Sequence, residues 1–284
     1  MKLIQTKAAE YEKKGINGVT ILDNELFVIS NESSEIEVYN STQLYFSRRF
    51  HLRDLVGPVD VVSCAKNKCL YIMDAKVSGQ SKEILRLSPK GKLLQQWSTE
   101  CDGWGRLSVT AEKNVLLTVY QKNKLNEYSP QGELVREIKL DPRSCTGIRH
   151  PWHAIKLASG NYLVSHGFES YDQHRVCIVD VEGNVTKSFG RSSGMTSNRM
   201  YAPVYLAIDK NGFVMVADRC NDRVLLLDAS LKYVKELITV QNGLRQPRRI
   251  LLDDVNGRLI VADNEWNSEK DVYVDGQILV FEIE

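Results

Sequence analysis

The sequence has no apolar run approaching the roughly 20 residues of a membrane-spanning helix. Its first residues, Met1-Lys2-Leu3-Ile4-Gln5-Thr6-Lys7, lack the apolar stretch of a secretory leader. A cytoplasmic protein with no membrane partner is the expectation. Net charge is also missing: 37 basic residues face 36 acidic ones, so no whole-molecule attraction to nucleic acid is expected and any electrostatic preference must come from local clustering. The six cysteines (Cys64, Cys69, Cys101, Cys145, Cys177, Cys220) show no Cys-x-x-Cys spacing, which argues against a zinc site and for free thiols. Cys64 and Cys69 flank the turn Ala65-Lys66-Asn67-Lys68 and can face each other across a hairpin. The five histidines (His51, His150, His153, His166, His174) are scattered, and no Gly-rich phosphate loop, Gly-x-Ser-x-Gly elbow or His-Glu-x-x-His motif occurs.

What the chain does have is repetition. The segment from Gly57 to Asp74 lies without gaps over the segment from Gly103 to Tyr120, apolar positions coinciding. The frame recurs from His150 to His166, from Ala202 to Asp218, from Gln246 to Asp263 and, more loosely, from Asn17 to Ser30. Self-similarity at roughly 42–46 residues, each unit holding four short strands, is the mark of a β-propeller. An all-β fold with six blades follows, approximately 17–50, 57–97, 103–140, 147–189, 199–238 and 243–284, in one continuous domain over 1–284. The last repeat ends on a third strand, Gln277 to Glu282, while residues 2–6 are strand-like and precede the first repeat. The N-terminal strand is therefore expected to complete blade six and close the ring.

The fifth repeat carries Pro203, then Asp209-Lys210-Asn211-Gly212, Val216-Ala217-Asp218, Asn221-Asp222-Arg223 and Val224-Leu225-Leu226-Leu227-Asp228. The fourth has Gln173-His174-Arg175 before Val176-Cys177-Ile178-Val179-Asp180. The sixth has Val261-Ala262-Asp263 followed by an insertion over 264–274. This pattern resembles the NHL family of six-bladed propellers, across nearly the whole chain though with the first three repeats degenerate. The resemblance implies a recognition disc like the C-terminal part of tripartite-motif ubiquitin ligases, binding protein or RNA on one face. No RING or B-box array and no heptads accompany it, so ligase chemistry is not implied. Propeller enzymes related to gluconolactonase and paraoxonase use an axial metal, and the amidating-enzyme lyase a histidine-rich axis; this sequence departs from both.

Two residues beyond the repeat's proline position the frame gives Asn17, Asp60, Arg106, His153, Tyr205 and Arg249 around the axis. One carboxylate and two guanidiniums suit a cation poorly. The plain reading is Asp60 paired with Arg106 in the next blade, and Asp218 tied to Arg223. No catalytic residue, metal or cofactor is expected there. The connections leading into the inner strands of blades four to six hold Arg143, Arg149, Arg191, Arg199, Arg245, Arg248 and Arg249, with His150, Trp152, Tyr201 and Tyr205 interleaved. Guanidinium forks and aromatic faces together suit shaped anions and bases. The blade-six insertion adds Trp266 and Tyr273 amid charges, as contact anchors do. The ligand face expected is Arg143, Arg149, Trp152, His153, Arg199, Tyr201, Tyr205, Arg245, Arg248, Arg249 and Trp266. The function expected from it is a non-catalytic protein- or peptide-recognition module, with single-stranded RNA as the alternative partner and a metal-dependent axial hydrolase or lyase as the second alternative.

Overall fold

The second strands of the repeats are apolar along both faces, and such strands are stable only when sheets flank them on each side. A computed structural model shows that arrangement as six four-stranded antiparallel sheets set radially, a six-bladed β-propeller. It describes residues 1–284 except 9–13, 54, 76–81, 143–146, 168–172, 191–198, 268–271 and 284; at 8, 266, 267, 272 and 273 it describes the backbone alone. Among the described residues no helix is long and apolar enough to cross a membrane.

The inner strands are Ile16–Leu22, Pro58–Cys64, Leu107–Val109, Pro151–Lys156, Pro203–Ile208 and Pro247–Asp253, for blades one to six. In blades one to five the next three strands follow outward in chain order. Blade six instead takes Arg258–Asn267 and Val272–Glu282, then the N-terminal strand Lys2–Ala8, antiparallel with Lys2 opposite Glu282 and Ala8 opposite Gln277. The all-β, six-bladed fold closed by the N-terminal strand is thus borne out.

Burial explains the layering. Second strands such as Cys69–Asp74 and Val115–Val119 are buried throughout, whereas outer strands such as Leu134–Lys139 are mostly exposed. Apolar side chains interlock between neighbouring blades. Ile16, Val19, Val28 and Tyr39 of blade one pack on Ile260, Ala262, Ile278 and Val280 of blade six, so the closing seam is as apolar as the others. Each aliphatic side chain fully buried this way contributes about 1.5–3 kcal/mol. Turns between third and fourth strands need a left-handed residue: Gly183 sits at φ +92°, and a Cβ there would lie 2.0 Å from the Lys139 carbonyl oxygen.

Five of the six inner strands, all but Leu107–Val109 of blade three, begin with an irregularity that matters for the hub. Pairing skips a residue between Ile16 and Gly18, Pro58 and Asp60, Pro151 and His153, Pro203 and Tyr205, and Pro247 and Arg249. A bulge of this kind re-aims the residues around it. Before the prolines of blades four to six the chain turns through positive φ at His150, Ala202 and Gln246. In blades two, five and six the carboxylate closing the second strand holds the entry to the inner strand: Asp74 accepts the Gly57 N–H at 2.8 Å, Asp218 that of Tyr201 at 2.7 Å and Asp263 that of Arg245 at 2.8 Å.

Candidate functional site

The hub is a filled polar core. Asp60, Arg106, His153, Tyr205 and Arg249 are all buried there. The expected pairing of Asp60 with Arg106 is corrected in part. Arg249, reaching across from blade six, takes Asp60 Oδ1 at 2.5 Å, while Arg106 stands off at 4.0 Å and donates to the Val59 and Asn17 carbonyls. Asp60 Oδ2 accepts the Leu107 N–H at 2.8 Å. In blade one the residue in register with Asp60 is Gly18, not Asn17; a Cβ on it would sit 3.0 Å from Val61 Cγ1 and 3.3 Å from Asp60 Oδ1. Asn17 is the bulged residue and donates its amide to the Pro58 carbonyl at 2.6 Å.

His153 stacks on Tyr205 with ring centroids 3.7 Å apart, and Arg249 lies 4.1 Å from the Tyr205 ring centre. Its Nδ1 accepts the Leu206 N–H at 3.2 Å, so Nε2, 3.3 Å from the Leu107 carbonyl oxygen, carries the proton. Burial, then Arg249, pushes its pKa well below the ordinary histidine range, and burial pushes the Tyr205 phenol up. These groups are neutral, mutually satisfied and enclosed. Asp60, the one carboxylate of this ring, is already engaged by a guanidinium and a backbone N–H. Among the described residues no group of three or more His, Cys, Asp or Glu is placed to hold a metal.

The propeller's loop face carries the connections into the inner strands and those between second and third strands. Here the repeated aspartates differ from blade to blade. Asp218 accepts from Asn221 Nδ2 and Arg223 Nε, both at 2.8 Å, so the blade-five carboxylate is ion-paired as expected. Blade six lacks that Asn-x-Arg segment because its second and third strands run on as a long hairpin, with Glu265 opposite Val274 and Trp266 opposite Tyr273. Asp263, 1% exposed, keeps the Arg245 N–H and the Gln277 side-chain amide at 3.1 Å. Burial pushes its pKa up to about 6. At its side opens a cavity of about 490 Å³, lined by Leu244, Arg245, Asp263, Glu265, Asp275 and Gln277 among others. Arg245 is exposed and pairs with Glu265 at 2.9 Å.

A second group lies nearer the axis. Trp104, on the connection into blade three, is 44% exposed. Trp152 sits 6.1 Å from it, Tyr120 5.1 Å from Trp152, and His150 stacks on Tyr120 at 4.6 Å. The Arg248 guanidinium lies 5.7 Å from the Trp104 ring centre.

The expected ligand-face residues are distributed as follows. Arg149 and Arg199 are exposed on the loop face, Arg149 donating Nε to the Pro142 carbonyl at 2.9 Å. Arg245 is taken by Glu265, Arg248 is buried against Trp104, and Trp152 is buried within the aromatic group. His153, Tyr205 and Arg249 belong to the hub. Tyr201 is half-buried, edge-on to His174. Arg143, Arg191 and the Trp266 side chain lie outside the described residues. Cys64 and Cys69 are opposite each other in register, and both are free thiols, as are Cys101, Cys177 and Cys220; Cys145 lies outside the described residues. Sequence reasoning passed over Asp263, Trp104 and Tyr120 as site residues. The signal for the first was present: Val261-Ala262-Asp263 without the arginine that follows Asp218 five residues on.

No protein-family model matches the sequence, and no curated protein is significantly similar to it. Solved structures are similar in fold. Virginiamycin B lyase from Staphylococcus aureus is 12% identical, with a TM-score of 0.62 over 99% of this chain and 88% of that one. A catalytically inactive histidine-to-alanine variant of the same enzyme with quinupristin is 11% identical, with a TM-score of 0.64 over 98% and 99%. A protein of unknown function from Bacteroides caccae is 13% identical, with a TM-score of 0.58 over 81% and 84%. These likenesses correct the expectation of a non-catalytic recognition module: two of these structures, matched over 98–99% of this chain, are of a lyase, so the fold itself does not support a role without chemistry.

Proposed function

We propose that this chain is an enzyme of the lyase kind, working not on the axis but in the blade-six cavity of the loop face. Asp263 is the base that takes a proton from the substrate, and Arg245 opposes the negative charge left behind. The observation that carries this reading is the contrast between equivalent carboxylates. In blade five the cation that pairs with Asp218 is built in; in blade six the hairpin replaces it and leaves Asp263 beside a ligand-sized cavity. A carboxyl raised by burial to about 6 is mostly ionised at neutral pH yet more basic than an ordinary aspartate, which suits proton abstraction. The lyases similar in fold support the reaction class, and the blade-five motif, Asp218 with Asn221 and Arg223, supports the finer reading of the repeats as NHL type.

The test is turnover of quinupristin and of a panel of linear and cyclic esters, followed by mass spectrometry. A cyclic substrate opened by elimination keeps its mass, whereas hydrolysis adds one water. The expected result is an isomeric product whose formation falls by at least about 100-fold in Asp263→Asn. Turnover unaffected by that substitution, or no member of the panel consumed, overturns the proposal.

A further inference from the structure

Three residues one or two positions before hub residues meet on the loop face: Trp104, two before Arg106; Trp152, one before His153; and Arg248, one before Arg249. The hub residues are fixed by their hydrogen bonds, so the three neighbours are held by a rigid base. Trp152 and Tyr120 are buried in a core cluster and fix the back of the group, while Trp104 leaves 44% of its surface to solvent. A large exposed aromatic with ordered aromatic backing carries a quadrupolar face at little entropic cost, the quality that makes Trp a contact anchor. Arg149, exposed and next to His150 of the same aromatic group, adds a guanidinium held by the Pro142 carbonyl. Arg245 of the cavity and Arg248 of the aromatic group are three residues apart, hence at most about 11 Å between Cα atoms. One small molecule can span both.

We infer that the substrate carries an aryl group beside a carboxylate, the ring seated on Trp104 and the carboxylate met by Arg149, with its reacting end in the blade-six cavity. This inference rests on the lyase reading for the last of those elements only. Binding at Trp104 is independent of proton abstraction at Asp263, so the two are tested apart.

Protein labelled with 5-fluorotryptophan has four tryptophans to report, and the Trp104 resonance is identified by its loss in Trp104→Phe. Titration with 3-phenylpropionate is expected to move that resonance saturably. By calorimetry, 3-cyclohexylpropionate, with the same charge and no π face, is expected to bind about fivefold more weakly. The uncharged 3-phenylpropanol is expected to bind at least about threefold more weakly. Trp104→Ala abolishes measurable binding and Trp104→Phe retains it, which separates loss of the ring from loss of the fold. Asp263→Asn binds 3-phenylpropionate as wild type does. An unmoved resonance, equal affinity for the cyclohexyl analogue, or binding retained by Trp104→Ala overturns the aryl seat whatever the fate of turnover. If Asp263→Asn keeps turnover while the resonance still moves, the cavity reading falls and the aryl seat stands.

Discussion

Asp263 and Asp218 occupy the same place in their repeats, and burial raises both to about 6. Their partners make the difference, because of the two only Asp218 forms an ion pair with an arginine side chain among the described residues. A carboxyl raised from 3.8 to about 6 in the folded state corresponds to about 3 kcal/mol. The native state then holds more protons than the unfolded chain between about pH 4 and pH 6, so stability falls as pH rises through that window. Asp263→Asn removes this contribution. The variant is expected to gain on wild type by up to about 3 kcal/mol between pH 4 and pH 7, measured by urea denaturation at each pH. A difference between the two proteins that does not change with pH contradicts a buried, unpaired carboxyl at this position.

At the scale of elements, the closing strand and the blade-six hairpin decide the outcome. Lys2–Ala8 supplies the outer strand of blade six, and without it Val272–Glu282 becomes an open edge. Deleting residues 1–8 is expected to broaden the thermal transition and lower its midpoint, read by circular dichroism; an unchanged melt refutes the closure. This closure was legible because the last repeat ends one strand short. The blades were legible because apolar positions coincide repeat after repeat. The site was less so. The frame placed Asp60, His153, Tyr205 and Arg249 at the hub, yet missed Gly18 because blade one has Ile16 in place of the proline from which blades two, four, five and six are counted. It grouped the arginines by loop, and their fates (ion pair for Arg245, core for Arg248 and Arg249) depend on neighbours brought in from other blades. Asp263 itself was legible, from the arginine missing after Val261-Ala262-Asp263, but the cavity beside it depends on how Leu244, Arg245 and Gln277 are brought together.

The whole molecule is tied together where its blades converge. Asp60 of blade two and Arg249 of blade six are 189 positions apart in sequence and form a contact that exists only once the ring has closed. Around it Arg106 bridges to blades one and two, and His153 reaches the backbones of blades three and five. Removing one member of a buried pair costs about 3–5 kcal/mol because the charge left behind has no counterion. Asp60→Asn leaves two buried guanidiniums facing each other. It is expected to cost that amount, and Arg249→Met a similar amount. The double variant keeps one arginine near a neutral amide, so its loss should fall short of the sum by about 2 kcal/mol or more. Because the contact belongs to the ring and not to any blade, each single variant should still unfold in one transition, shifted as a whole. Guanidinium denaturation followed in parallel by tryptophan fluorescence and far-ultraviolet dichroism reads both quantities. Strictly additive losses, or two transitions in Asp60→Asn, show blades that stand independently of the hub.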